Sequence, residues 1–185
     1  MKKTTKIMTV VLSLVLVAAL SIGGTVAWLT AKTDTVTNTF TFGNIDITLT
    51  ETENLDLKIV PGKPITKDPK ATVQSGSEAC YLFVELNKVN WLPALTYEIA
   101  DGWTRGTDED GIPTNVIYRE VPAADKDQTF DVLKDNKVNV NGELTKAQVE
   151  AAMEQAPQLN LTAYAVQQQG IASAADAWAK IASVG

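Results

Sequence analysis

Histidine is absent from all 185 residues, and cysteine occurs once, at Cys80. Without imidazole there is no Ser-His-Asp triad, and the zinc peptidase sites that normally use histidine ligands are disfavoured. A lone cysteine excludes an intrachain disulfide. Its neighbours Ala79, Tyr81, Leu82, Phe83 and Val84 are apolar, which reads as a small packed hydrophobe and not as a reactive thiol. Arginine occurs only at Arg105 and Arg119, and 22 acids outnumber 16 lysines and arginines. That balance weighs against a nucleic-acid partner. There is no P-loop, no dinucleotide fingerprint, no long internal repeat and no low-complexity tract.

Charge is also missing from one long stretch. Lys2, Lys3 and Lys6 precede an uncharged run over residues 7–22, followed by Gly23, Gly24, Thr25, Val26 and Ala27. A basic start, an apolar run and small residues in this order predict an export signal cut between Ala27 and Trp28, with Thr25 at −3 and Ala27 at −1. The alternative is an uncleaved membrane anchor, because residues 7–29 are long enough to span a bilayer. The expected organisation is a signal peptide at 1–27, an N-terminal arm at 28–38 and a single β domain at 39–185. Cleavage leaves 158 residues (185 − 27) with a net charge of −9 (13 − 22), enough chain to bury a core without a staple.

Most of the remainder alternates. Residues 28–38 are rich in threonine and free of proline, with Trp28, Leu29 and Val36 as the large apolar groups; alone they read as a loose arm. In the strand expected at 39–51, Phe40 and Phe42 are even-numbered whereas Ile45, Ile47 and Leu49 are odd. A period of two survives that change only if an extra residue is absorbed, which predicts a β-bulge at Gly43 and Asn44. Leu55, Leu57 and Ile59 mark another strand, stopped by Pro61, Gly62 and Pro64. Residues 71–74 read as a short edge strand. Residues 79–86 are apolar at both parities except Glu85, the pattern of a central strand covered on both faces. Further strands are expected at 95–99, 116–121, 129–133, 137–140 and 159–167. Thr145 and Gln148 have capping-box spacing and open a helix to Gln155. Ser173 and Asp176 cap a second helix, on which Trp178 and Ile181 share one face. Many short strands with Gly/Pro turns and two late helices predict a mainly β protein, a two-sheet antiparallel β-sandwich.

No candidate metal or catalytic motif completes itself. Asp108, Glu109, Asp110 and Gly111 suggest a calcium loop, but an EF-hand aligned on Gly111 meets Gly106 and Ile117 at its two terminal ligand positions. The run from Asn139 to Gly142 fails likewise, with Lys137 and Gln148 there. A solvated acidic turn is the plainer reading, and no cofactor is expected. Trp91, Tyr97 and Trp103 lie near turns, where rings more often close the end of a core than stack a ligand.

The junction from Gly23 to Ala27, followed by Phe40, Phe42, Gly43, Ile45 and Ile47 running to Glu51, resembles the TasA/camelysin family of exported Gram-positive biofilm-matrix proteins. The run 161–167 is similar to the last strand of many such proteins. The resemblance implies a signal processed by a dedicated signal peptidase of SipW type and a jelly-roll-like version of the sandwich. It also implies an extracellular structural role without catalysis. In that role the arm would serve as a donor strand to the next copy, in a head-to-tail homopolymer with other matrix proteins as possible partners. The membrane is then involved only through the uncleaved signal. Some relatives are classed as metallopeptidases, which this histidine-free chain does not support. Two further readings stay open: a monomeric secreted or anchored surface module binding carbohydrate or protein around Trp91 and Trp103, and a carboxylate- or metal-dependent peptidase.

Overall fold

A computed structural model describes residues 30–34, 38–39, 45–52 and 59–183. Its strands are β1 (Thr30–Asp34), β2 (Asn38–Thr39), β3 (Ile47–Thr50), β4 (Ile65–Thr66), β5 (Lys70–Val73), β6 (Cys80–Val89), β7 (Leu95–Thr96), β8 (Thr104–Arg105), β9 (Val116–Val121), β10 (Gln128–Asp131), β11 (Lys137–Val140) and β12 (Gln158–Gln167). Among the described residues two α-helices, α1 (Lys146–Gln155) and α2 (Ala174–Ala182), lie before and after the last strand.

The doubly apolar segment becomes the centre of the largest sheet, whose order is β2-β1-β12-β6-β9-β8 with every pairing antiparallel. Strand β6 pairs with β12 along its whole length, from Gln158 opposite Val89 to Gln167 opposite Cys80. Its even residues Cys80, Leu82, Val84 and Leu86 enter the main core. Its odd residues Tyr81 and Phe83 enter a second cluster with Trp178 and Ile181 of α2. Helix α2 therefore covers the far face of the sheet. Ser173 Oγ accepts the Asp176 amide at 3.2 Å and donates to the Asp176 carboxylate at 2.8 Å, which starts the helix as its spacing predicts. The predicted capping box at α1 also forms: Gln148 N donates to Thr145 Oγ1 at 3.3 Å and Thr145 N donates to Gln148 Oε1 at 2.9 Å.

The expectation of two sheets is corrected to three. Beside the six-stranded sheet lie two three-stranded sheets, β10-β5-β3 and β4-β11-β7. The reason is local. Strand β5 comes after β4 and faces β10, while β4 faces β11, so the two sheets lie in succession along one ribbon. Four steps separate Thr66 from Lys70, but six separate their partners Asp131 and Lys137. The surplus forms a 3-10 turn in which Asp135 and Asn136 adopt φ of 55° and 52°. Opposite it stands Pro69, which has no amide hydrogen to continue a ladder. Val132 N still donates to Pro69 O at 3.0 Å and Lys67 N to Asn136 O at 2.9 Å, carrying the ribbon across the break.

Two smaller expectations also change. The strand at 71–74 is not an edge: β5 lies between β10 and β3. The strand at 95–99 shortens to β7 and an isolated bridge between Ile99 and Leu133. The strands at 116–121 and 137–140 form with those bounds.

Candidate functional site

The residues singled out for processing and assembly, Thr25, Ala27, Trp28, Leu29 and Val36, lie outside the described residues, as do Gly43 and Asn44 of the expected bulge. The middle of the expected arm is described. Strand β1 is not loose: it pairs with β12, Thr30 opposite Val166, Ala31 opposite Ala165, Lys32 opposite Tyr164 and Thr33 opposite Ala163. Outside it, among the described residues, lies only the short β2. The arm is thus added to the sheet beside β12 by main-chain pairing.

At the other end of β12 a cleft of about 530 Å³ opens between the main sheet and the smaller ones, walled by Leu49, Ile59, Ile65, Trp91, Leu159 and Leu161. Lys67 reaches into this wall with its side chain only 13% exposed, and its Nζ donates to both oxygens of Glu51 at 2.8 and 3.0 Å. The pair neutralises a charge that burial would otherwise penalise. Alongside, Thr52 Oγ1 donates to Asp68 Oδ2 at 2.6 Å and Thr52 N to Asp68 Oδ1 at 3.1 Å. The hydroxyl bond leads the causes that hold the Asp68 carboxyl below its ordinary value.

Both tryptophans near turns pack against the main core, and each indole N–H is spent on a carbonyl. Trp91 Nε1 donates to Leu95 O at 2.9 Å and Trp103 Nε1 to Asp131 O at 2.8 Å. Each ring also carries a cation. Lys88 Nζ stands 4.8 Å from the Tyr97 centroid and 5.8 Å from that of Trp91. The Arg119 guanidinium lies 3.7 Å from the Phe130 centroid and 5.4 Å from that of Trp103. Desolvation lowers the Arg119 pKa, and among the described residues its buried Nε has no hydrogen-bond partner. Sequence reasoning passed over Arg119, yet a signal was there: Ile117, Arg119 and Val121 share one parity of β9, and both apolar neighbours are buried.

The remaining candidates are structural. Cys80 is fully buried, and desolvation pushes its thiol up to about 12. Asp108, Glu109 and Asp110 form an exposed 3-10 turn capped by Thr107, whose hydroxyl donates to the Asp110 carboxylate at 2.6 Å. Glu85, the polar exception in β6, accepts from Tyr164 Oη at 3.1 Å and from Asn115 Nδ2 at 3.4 Å, which satisfies it beside the α2 cluster. Among the described residues no three His, Cys, Asp or Glu side chains gather as a metal site, and no helix is long and apolar enough to cross a membrane.

No curated protein and no solved structure matches the chain. Residues 2–78 match the family described as Camelysin metallo-endopeptidase. The match extends beyond the junction that suggested it, through the proline-rich turn to Glu78, and stops short of the run at 161–167. The resemblance read from Gly23 to Glu51 therefore holds: over residues 2–78 the chain is similar to the camelysin family, which includes TasA.

Proposed function

We propose that the chain is an exported structural protein whose copies join head to tail into an extracellular matrix fibre, each accepting the N-terminal arm of the next. The observation that carries this reading is the placement of β1. The strand just after the expected cut is held beside β12 by backbone pairing, and such pairing is indifferent to which copy supplies the strand. If β1 of one copy leaves, the edge of β12 presents unpaired N–H and C=O groups, a template for the same strand from another copy. A contact of this kind does not close on itself, so one donor and one acceptor edge per copy generate a filament.

In this reading a signal peptidase cuts at Ala27/Trp28 and frees the arm outside the cell, where Trp28 and Leu29 each contribute about 1.5–3 kcal/mol if fully buried in the acceptor. Val36 completes the apolar set of the arm. The partners are further copies, with other matrix proteins as possible additions. The three sheets serve as two layers of a jelly-roll-like sandwich, the six-stranded sheet facing the broken ribbon across the main core. The family description names a metallo-endopeptidase, which points toward catalysis. We place this chain instead with the structural, TasA-like members, because it has no histidine to ligate zinc.

The test compares protein beginning at Trp28 with protein beginning at Thr39 and with Trp28→Asp. Electron microscopy should show filaments only for the first, while circular dichroism shows all three folded. Equal assembly by protein that lacks residues 28–38 would refute strand exchange, and N-terminal sequencing that finds Met1 on the surface-bound protein would refute release by cleavage.

A further inference from the structure

The two edges of β12 are not used alike. Along one edge β6 pairs with the whole strand, from Gln158 to Gln167. Along the other, β1 covers only Ala163 to Val166. The chain turns back there: Asn38 of β2 lies opposite Asp34, so the arm leaves β12 at that point. Among the described residues no strand pairs with residues 158–162 on this edge. An antiparallel strand directs the N–H and C=O of alternate residues to each side, so part of this stretch offers its backbone groups outward.

The cleft of about 530 Å³ lies along the same edge. Successive side chains of a strand point to opposite faces, yet Gln158, Leu159, Asn160 and Leu161 all border the cleft. A cavity that touches consecutive residues runs beside the strand and not over one of its faces. Its far wall includes Leu49, Ile65 and Trp91, and the two charged residues that line it among the described residues, Glu51 and Lys67, are paired at 2.8 Å. The exposed large apolar side chains among the described residues, Val60 and Val89, adjoin it. Val60 follows Ile59 of the wall, and Val89 stands opposite Gln158. Exposed apolar groups gathered around a cleft mark a binding surface.

We propose that the free edge of β12 at residues 158–162 and the adjoining cleft bind an extended segment of another protein, an uncharged strand with large apolar side chains at alternate positions. Its backbone continues the sheet where β1 stops, and every second side chain enters the cleft. Because Glu51 and Lys67 satisfy one another, a charge carried into the cleft would lose its water and find no partner. The N-terminal arm of a second copy does not meet this description. Continued at the register of β1, it would set Thr35 and Thr37 opposite Leu161 and Leu159, short polar groups before an apolar wall. The site is thus separate from strand exchange, which uses residues 163–166.

The experiment titrates the isotope-labelled full-length chain with a blocked hexapeptide of alternating threonine and leucine, reading the amide resonances of Leu159 and Leu161. The peptide should shift them saturably. The same peptide with aspartate for leucine should bind at least about tenfold more weakly, since its charges cannot be carried into the cleft. A version N-methylated at every amide should lose about tenfold or more, because it leaves the outward groups of β12 unpaired. Ile65→Glu places an unpaired charge in the wall and should weaken the leucine peptide by about tenfold or more. Unmoved resonances, equal binding of the aspartate or the N-methylated peptide, or undiminished binding by I65E would each overturn the proposal. Tighter binding by a peptide of residues 28–38 would also overturn it, by giving this edge to strand exchange. The wild-type titrations decide the matter even if the variant fails to fold.

Discussion

Replacing Trp178 by alanine should strip the cover from the far face of the central sheet. The indole is 8% exposed, its ring 5.4 Å from that of Phe83 and 5.7 Å from that of Tyr164. An aromatic side chain buries roughly 150–250 Å², which at about 25 cal/mol per Å² sets a scale of ~4–6 kcal/mol. Measured truncations of buried aromatics to alanine cost about 3–5 kcal/mol, because alanine keeps some contact and the site partly collapses. The two ring contacts add specificity at about 0.5–1.5 kcal/mol each. We therefore expect a loss of about 3–5 kcal/mol in urea-monitored stability, a large part of the ~5–15 kcal/mol of a typical domain. Trp178→Phe should lose much less, since it keeps a ring beside Phe83. A loss below about 1 kcal/mol for Trp178→Ala, well under the usual cost of such a truncation, would refute the claim that α2 is an integral layer, and would make the helix an appendage.

Cys80 should resist thiol reagents in native buffer and label fully in denaturant, since its thiol is buried and pushed up to about 12; rapid native labelling would refute its place in the core. Asp68 offers a pH test with a definite sign. Its folded pKa lies below the ordinary 3.8, so its stabilisation is fully present above that pH and disappears as pH falls through the folded value. Asp68→Asn should therefore be less stable than the parent at neutral pH, with the gap closing in acid; a gap that stays constant from neutral to strongly acid pH would show that the Thr52 hydrogen bond to the charged carboxylate contributes nothing.

Several elements were legible because their signals are short-range. The capping pairs Thr145–Gln148 and Ser173–Asp176 act within one helical turn, and both form as read. The two-sided apolarity of β6 specifies burial on both faces whatever covers them. The site was less legible. Arg119 announced itself only by parity, while its partners Phe130 and Trp103 come from segments on either side of β9 in the chain, assembled by sheet pairing.

By itself the sequence determined which residues are apolar, where the periods of two begin and end, and where helices start, since those depend on neighbouring residues and backbone chemistry. It also ruled out imidazole chemistry through composition alone. Only the tertiary structure decided that the ribbon of smaller strands breaks into two sheets, because the break needs Pro69 on one strand to meet the surplus residues around Asp135 and Asn136 on another. It also decided that the arm has a place beside β12, since residues 30–33 and 163–166 are brought together by long-range hydrogen-bond register. Such pairings join segments far apart in the chain, and their free energy depends on surfaces that exist only once the sheets have packed.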